Sequence, residues 1–198
     1  MQCLLLGATG RTGQRVLRRL EARGVTVVTY GRRPGGGTRA HTGALDDLGA
    51  LHAALEGSET VINCLASGNN NAVCSTATQS LIAVSAPQTR YIVVSGASVT
   101  MPGERRNALE RAGLGVIRLF MGGMLDDRQA ELTLLQNSSL AWTALRPPRL
   151  TKGRGRGAWR FDEDRVRTPS LSRDDLAGAV VETIGRDDLL GKAPFVSC

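Results

Sequence analysis

The chain has 198 residues, 41% of them apolar, with a formal charge of +7 and a pI near 10.0, enough for one domain with a sizeable core. It has no run of about 18 consecutive apolar residues and no signal-peptide pattern at its start, so it reads as a soluble, cytoplasmic protein without a membrane span. Cys3, Cys64, Cys74 and Cys198 form no CxxC pair and read as reduced thiols, which speaks against a disulfide framework or a metal site.

In chain order, "QCLLL" at 2 to 6 reads as a strand and residues 11 to 22 as a helix, followed by a strand "VTVVTY" at 25 to 30. A helix over 46 to 57 precedes the strand "TVINCL" at 60 to 65. A helix of small residues from Asn71 to Val84 leads into "RYIVVS" at 90 to 95. Glycines interrupt 101 to 125 and no element is assigned there. "DDRQAELTLLQNS" is a helix and "AWTALRP" at 141 to 147 a strand stopped by Pro147 and Pro148. Residues 148 to 170 form an irregular excursion with a short strand at "AWRF". The last helix opens at Ser172, with Asp175 three positions on as in a capping box. "APFVS" is expected to add to the sheet edge. Strands alternating with helices imply parallel βαβ units. The fold class is therefore α/β: a single Rossmann-type domain over 1–198, doubly wound, with helices on both faces of a mostly parallel sheet.

Arginine carries nearly all of the positive charge, because Lys152 and Lys192 are the only lysines. The run "KGRGRGAWR" at 152 to 160 has the composition of an arginine-glycine RNA-binding segment. With a single aromatic it reads instead as a solvated loop, so nucleic acid is not the expected partner. His41 and His52 are assigned no catalytic or metal role. No long apolar edge or heptad pattern stands out, which points to a monomer.

The chemistry concentrates at "LLLGATGRTG", residues 4 to 13. A strand that passes directly into a helix leaves the first helical N–H groups unpaired, and with the helix dipole they attract phosphate. Gly7 allows the tight turn, Gly10 admits a pyrophosphate to the backbone, and Gly13 lets the helix pack on the strand. Thr9 and Thr12 add hydroxyls, and Arg11 stands between them. In this strand–turn–helix context the pattern predicts a dinucleotide site. At the end of the second strand, "YGRRP" supplies Arg32 and Arg33 where an NAD-binding chain would carry an acid, so NADP(H) is expected over NAD(H).

The chain resembles the atypical short-chain dehydrogenase/reductase group, the NAD(P)H-binding proteins related to NmrA, and within it the flavin reductase/biliverdin reductase B type. "GATGRTG" at 7 to 13, "VINCLASG" at 61 to 68, "IVVSGAS" at 92 to 98, the segment ending "WTALRPPRL" at 150 and "SRDDLAG" at 172 to 178 carry the likeness. The resemblance implies that NADP(H) is bound by Gly7, Thr9, Gly10, Thr12, Gly13 and Arg32, with Leu65 and Ala66 along the ribose side. It also puts Leu145 and Pro147 near the nicotinamide.

Departures from the family pattern shape the activity expected. Ala44 stands where the family often has an adenine-side aspartate, leaving Leu45 as the contact and Asp46 to cap the next helix. The Tyr-x-x-x-Lys pair of ordinary short-chain dehydrogenases is replaced by Met124 and Arg128. The fifth-strand serine is displaced, with Ser95 and Ser98 on either side of Ala97. Ser95 is the expected cofactor contact, Ser98 the pocket residue, and Arg128 the third candidate for a catalytic role.

An acceptor that takes its proton from solvent tolerates the loss of the tyrosine. The expected activity is thus NADPH-dependent hydride transfer to a small aromatic redox acceptor: a flavin, quinone or tetrapyrrole-like molecule. The loops at 67 to 72, 97 to 104, 121 to 125 and 148 to 160 remain to form a shallow pocket, with Arg128, Arg149 and Arg154 as candidates to draw an anionic acceptor. The alternative is a non-catalytic NADP(H)-binding redox sensor of the NmrA kind. A nucleotide-sugar isomerase or epimerase is disfavoured by the missing tyrosine.

Overall fold

In the computed structural model, the first apolar run forms β1 (Gln2–Leu6), and alternate residues feed opposite cores: Leu4 and Leu6 face one, Leu5 the other. The structure describes every residue except Pro34, 67–71 and 105–107, and for 108–114, 116–118 and 120 it describes the backbone alone. Helix α1 (Gly13–Glu21) follows the glycine turn, then β2 (Thr26–Gly31), β3 (Arg39–Thr42), α2 (Leu48–Leu55), β4 (Thr60–Asn63), α3 (Val73–Val84) and β5 (Arg90–Val94). After α4 (Ala108–Gln136) come β6 (Ala141–Leu145), β7 (Arg149–Thr151), β8 (Arg160–Asp162), β9 (Ser170–Ser172), α5 (Arg173–Thr183) and β10 (Phe195–Ser197).

The six-stranded parallel sheet has the order β3-β2-β1-β4-β5-β6. The chain reverses direction across the sheet between β1 and β4, and ligands of open α/β sheets bind beyond the carboxyl ends of the strands at such a switch point. Leu51 and Ala54 of α2, Ala77 and Leu81 of α3, and Leu132 and Leu135 of α4 pack one core with Leu4 and Leu6. Val16, Leu17 and Leu20 of α1 and Leu176, Ala177, Ala179 and Val180 of α5 pack the other with Leu5. The arrangement is the expected α/β fold of doubly wound, Rossmann type.

Three local expectations are corrected. Residues 108–120, left without an element because of their glycines, are helical and run on into the expected 126 to 138 helix. The one break is a kink at Met121, whose backbone (φ −136°, ψ 26°) is not helical. Asp47, not Asp46, caps α2, its Oδ1 accepting from the Ala50 N–H at 3.0 Å. The final strand does not extend the main sheet as a ladder: β10 pairs antiparallel with β8, and isolated bridges join Lys192 to Thr143 of β6 and Phe195 to Arg146 just beyond it. The expected start of α3 at Asn71 lies outside the described residues.

At α5 the capping box forms as the spacing implies. Ser172 Oγ accepts from the Asp175 N–H at 2.9 Å and donates to Asp175 Oδ2 at 2.8 Å. The same carboxylate accepts from the N–H groups of Arg156 (3.0 Å) and Gly157 (2.9 Å). Trp159 lies so close to Gly178 that a Cβ there would meet its ring at 2.3 Å, and its indole N–H donates to Glu182 at 2.8 Å. The arginine-glycine run is therefore folded onto α5, with its one aromatic packed rather than offered for base stacking.

Candidate active site

A cleft of about 460 Å³ opens over the carboxyl ends of β1, β4 and β5. The glycine turn forms one wall. Gly7 has φ +75°, and a Cβ there would meet the Cys64 carbonyl carbon at 2.7 Å, so β1 and β4 approach as only glycine permits. Beside Gly10 a Cβ would meet only the Gly7 carbonyl oxygen within 4 Å, at 3.1 Å. The N–H groups of Arg11, Thr12 and Gly13 have no hydrogen-bond acceptor among the described residues. These are the free donors of a helix start, aimed where the macrodipole favours an anion.

Of the expected site residues, the cleft gathers Gly7, Thr9, Gly10, Arg11, Thr12, Leu65, Ala66, Ser95, Ser98 and Arg128, together with Met124. Gly13 lies behind the turn. Arg32 and Arg33 are exposed beyond β2, and Leu45 is half-buried against the core. Leu145 and Pro147 are buried and do not line the cleft. They serve it through their carbonyls instead, which accept from the N–H groups of Ser95 (2.8 Å) and Ala97 (2.9 Å). Arg149 and Arg154 are exposed in the excursion, away from this lining. Of the loops expected to shape the pocket, 67–71 lies outside the described residues.

The floor holds an unusual atom. Ser95 Oγ is buried and has no hydrogen-bond partner among the described residues. Such a hydroxyl costs about 1–3 kcal/mol unless something else satisfies it. Ser95 itself lines the cleft, so a rotation of this hydroxyl would bring it to a polar ligand group, as the free turn donors fit a pyrophosphate.

Beneath the cleft lies a polar network that sequence reasoning did not find. Arg128 is buried: its Nη1 donates to Glu131 Oε2 at 2.7 Å and its Nη2 to the Leu65 carbonyl at 2.5 Å. Asn63 Nδ2 donates to Glu131 Oε1 and to the Tyr91 hydroxyl, both at 3.0 Å, while its Oδ1 accepts from the Leu65 N–H at 2.9 Å. Thr78 gives its hydrogen to Glu131 Oε1 (3.3 Å), so in its 3.0 Å contact with Tyr91 the tyrosine is the donor. Burial, then the neighbouring Glu131, pushes the Tyr91 hydroxyl far above the ordinary phenol range, so it keeps its proton. Burial likewise pushes the Glu131 carboxyl up, against the pull of Arg128. The i, i+3 spacing of Arg128 and Glu131 was the one signal available, and on a helix it reads equally as a surface ion pair.

Cys64, Val94, Gly96, Leu125, Leu150 and Arg173 complete the lining. Burial pushes the Cys64 thiol up to about 12, so it lines the cleft as a neutral group. Arg173 Nη1 donates to the carbonyls of Leu150 (3.3 Å) and Thr151 (3.0 Å). Its guanidinium is lowered by burial and by the like charges of Arg11 and Arg15, which marks a positive corner beside the turn. The chain's two tyrosines, Tyr30 and Tyr91, are both buried in the core and neither lines the cleft. Among the described residues no group of three or more His, Cys, Asp or Glu is placed to hold a metal, and no helix is long and apolar enough to cross a membrane.

A parallel sheet of this order with a glycine turn at its switch point defines a dinucleotide-binding α/β fold. The sequence profile of the NAD(P)H-binding family matches residues 7–187, and the chain belongs to that family. No curated protein matches it. Among solved structures, ChuY, an anaerobilin reductase from Escherichia coli O157:H7, superposes with a TM-score of 0.77 at 18% identity, covering 100% of this chain and 97% of its own. A short-chain dehydrogenase/reductase from Veillonella parvula in complex with NADP gives 0.79 at 19% identity, covering 100% and 94%. SP1627 of Streptococcus pneumoniae, a candidate NADH-flavin reductase, gives 0.76 at 18% identity, covering 99% and 98%. At these identities the likeness is one of fold.

Proposed function

We propose that this chain is an NADPH-dependent reductase that passes hydride to a small aromatic redox acceptor, a flavin, quinone or tetrapyrrole-like molecule. The observation that carries the reading is the pairing of a cleft lined by the glycine turn with the absence of a tyrosine from that lining. A ketone substrate needs a positioned proton donor. A flat redox acceptor takes its proton from solvent and needs mainly to be held face to face with the donor. The reductase names of ChuY and SP1627 support the same class of reaction, and the NADP complex of the Veillonella protein supports the nucleotide. Arg32 and Arg33, exposed beyond β2, favour NADPH over NADH as partners for a 2′-phosphate. The four free thiols suit a reducing compartment such as the cytoplasm.

When bound, the reduced nicotinamide supplies the hydride; the chain supplies the positioning. The free N–H groups of the turn hold the pyrophosphate, with Arg11 and Arg173 adding positive charge at that corner. Ser95 Oγ, once turned into the cleft, would donate to the carboxamide and so satisfy its hydroxyl. Met124 and Leu125 form an apolar wall that excludes water from one side, and Ser98 offers a donor to the acceptor. Arg128 keeps its proton on a guanidinium locked to Glu131, so its role is to hold the Leu65 wall rather than to deliver a proton.

That locked arginine also favours a second reading, a nucleotide sensor without turnover. The two part in one experiment: titrate the protein with NADPH and NADH by cofactor fluorescence, then add FMN or a quinone and follow the absorbance of the reduced nicotinamide. Acceptor-dependent loss of absorbance supports the reductase. Tight binding with no turnover supports the sensor, and binding of neither nucleotide overturns both.

A further inference from the structure

Four hydrogen bonds beneath the cleft close into a ring through a single residue, Leu65, one on each of the two peptide groups that flank it. The Leu65 N–H donates to Asn63 Oδ1, Asn63 Nδ2 donates to Glu131 Oε1, Arg128 Nη1 donates to Glu131 Oε2, and Arg128 Nη2 returns to the Leu65 carbonyl. Leu65 and Ala66 form the wall of the cleft beyond β4, where the backbone has left the ladder and no strand partner holds it. Both polar groups of this wall residue are thus fixed by side chains from two different elements, β4 and α4. Glu131 is what joins them.

We propose that Glu131 is a positioning residue for nucleotide binding: through Asn63 and Arg128 it holds the Leu65–Ala66 wall in one conformation and ties the guanidinium of Arg128 to that wall. The inference rests on the nucleotide reading of the cleft given above. Every neighbour bonded to this carboxylate is a donor: Arg128, Asn63 and Thr78. A carboxylate accepts from all three, whereas an amide at this position would turn its own N–H₂ against at least one of them. Glu131 is 1% exposed and does not line the cleft, so it acts only through its partners. Remove it and Arg128 keeps a buried charge without its carboxylate. The guanidinium is then no longer fixed, and the Leu65 carbonyl loses its donor.

The test uses the full chain without nucleotide first. In Glu131→Gln, amide hydrogen exchange at Leu65 is expected to quicken about tenfold, the loss of roughly one charge-assisted hydrogen bond. Leu5 in β1 and Ile62 in β4 should keep their wild-type rates. NADPH should bind about tenfold more weakly for the same reason. Combining Glu131→Gln with Arg128→Met should cost less than the sum of the two single effects, because the carboxylate works in part through the guanidinium and in part through Asn63. Arg128→Lys keeps the charge but has one ammonium for two partners, so it should give the same local loss at Leu65; it decides the matter if the Glu131 variant does not fold. Wild-type exchange at Leu65 in these variants overturns the proposal. So does faster exchange that appears equally at Leu5 and Ile62, the mark of a merely structural role. A wild-type protein that binds no NADPH overturns the nucleotide reading and the nucleotide role of Glu131, while exchange at Leu65 still decides whether the ring holds the wall.

Discussion

Gly13 and Gly7 meet backbone to backbone: a Cβ on Gly13 would stand 2.1 Å from the Gly7 carbonyl oxygen. That contact seats α1 on the turn after β1. Gly13→Ala is expected to lower stability by about 3 kcal/mol through overpacking, which lowers Tm by roughly 6–12 °C for a chain of this size. Thermal unfolding measures it. An unchanged Tm would mean that the turn opens freely and that the close seat of α1 on Gly7 is not required.

Ser95→Ala should move stability and binding in opposite directions. The hydroxyl is buried and unpartnered, so its removal should raise the stability of the nucleotide-free protein by about 1 kcal/mol. Removal should also weaken NADPH binding by roughly tenfold if the hydroxyl serves the carboxamide. Denaturant unfolding and a fluorescence titration together give the two signs.

Asp127 caps a helix that has no side-chain cap of its own. Its carboxylate, carried by α4, accepts from the N–H groups of Cys74 and Ser75, both at 2.9 Å, and from Ser75 Oγ at 2.5 Å. Asp127→Ala should cost about 2–3 kcal/mol, the range for buried charge-assisted bonds at a helix start. The urea midpoint should fall while the slope stays the same.

Alkaline pH should unfold this protein by titrating groups it buries neutral. Burial raises Cys3 from 9.0 to about 11 and Cys64 from 9.0 to about 12, and lifts Tyr91 further. A raised acid binds its proton more tightly when folded. Its stabilisation is complete below the unfolded value and is lost as pH rises toward the folded one, at up to about 1.4 kcal/mol per pH unit for each group. Stability measured from pH 8 to 11 should decline from about pH 9 upward, and Cys64 should resist alkylation at pH 8 in the folded state.

Arg32→Ala combined with Arg33→Ala tests nucleotide choice. NADPH affinity should fall by roughly tenfold or more, with NADH affinity unchanged, because only the 2′-phosphate calls for guanidinium partners. Equal effects on both nucleotides would end the NADP preference argued from these residues.

What the sequence made legible was local. The glycine turn, the buried strands and the Ser172–Asp175 box each depend on residues within a few positions of one another, and each lies where spacing places it. Helix propensity misled over 108–120, where glycines lower the expectation of helix that the wider packing overrides. β3 is a four-residue strand of Arg39, Ala40, His41 and Thr42 with no apolar alternation to reveal it. The Leu65 ring was out of reach for another reason. Asn63, Leu65, Arg128 and Glu131 span 68 positions between first and last, and only the packing of α4 on the completed sheet brings them together. The lining of the cleft by Leu150 and Arg173 is equally non-local, since it requires the parallel pairing of β7 with β9.

The docking of Trp159 on Gly178 gives the protein an optical property. Trp142 is enclosed in the core with Leu132 and Leu140 as neighbours in the same cluster, while Trp159 is half-buried where the excursion meets α5. These are the chain's only two tryptophans. Their emission separates by environment, a shielded indole at shorter wavelength and a partly wetted one at longer. Trp159→Phe leaves a lamp inside the core, and Trp142→Phe leaves one where the excursion meets α5, so a single fluorimeter reads the sheet and the excursion separately as the protein unfolds.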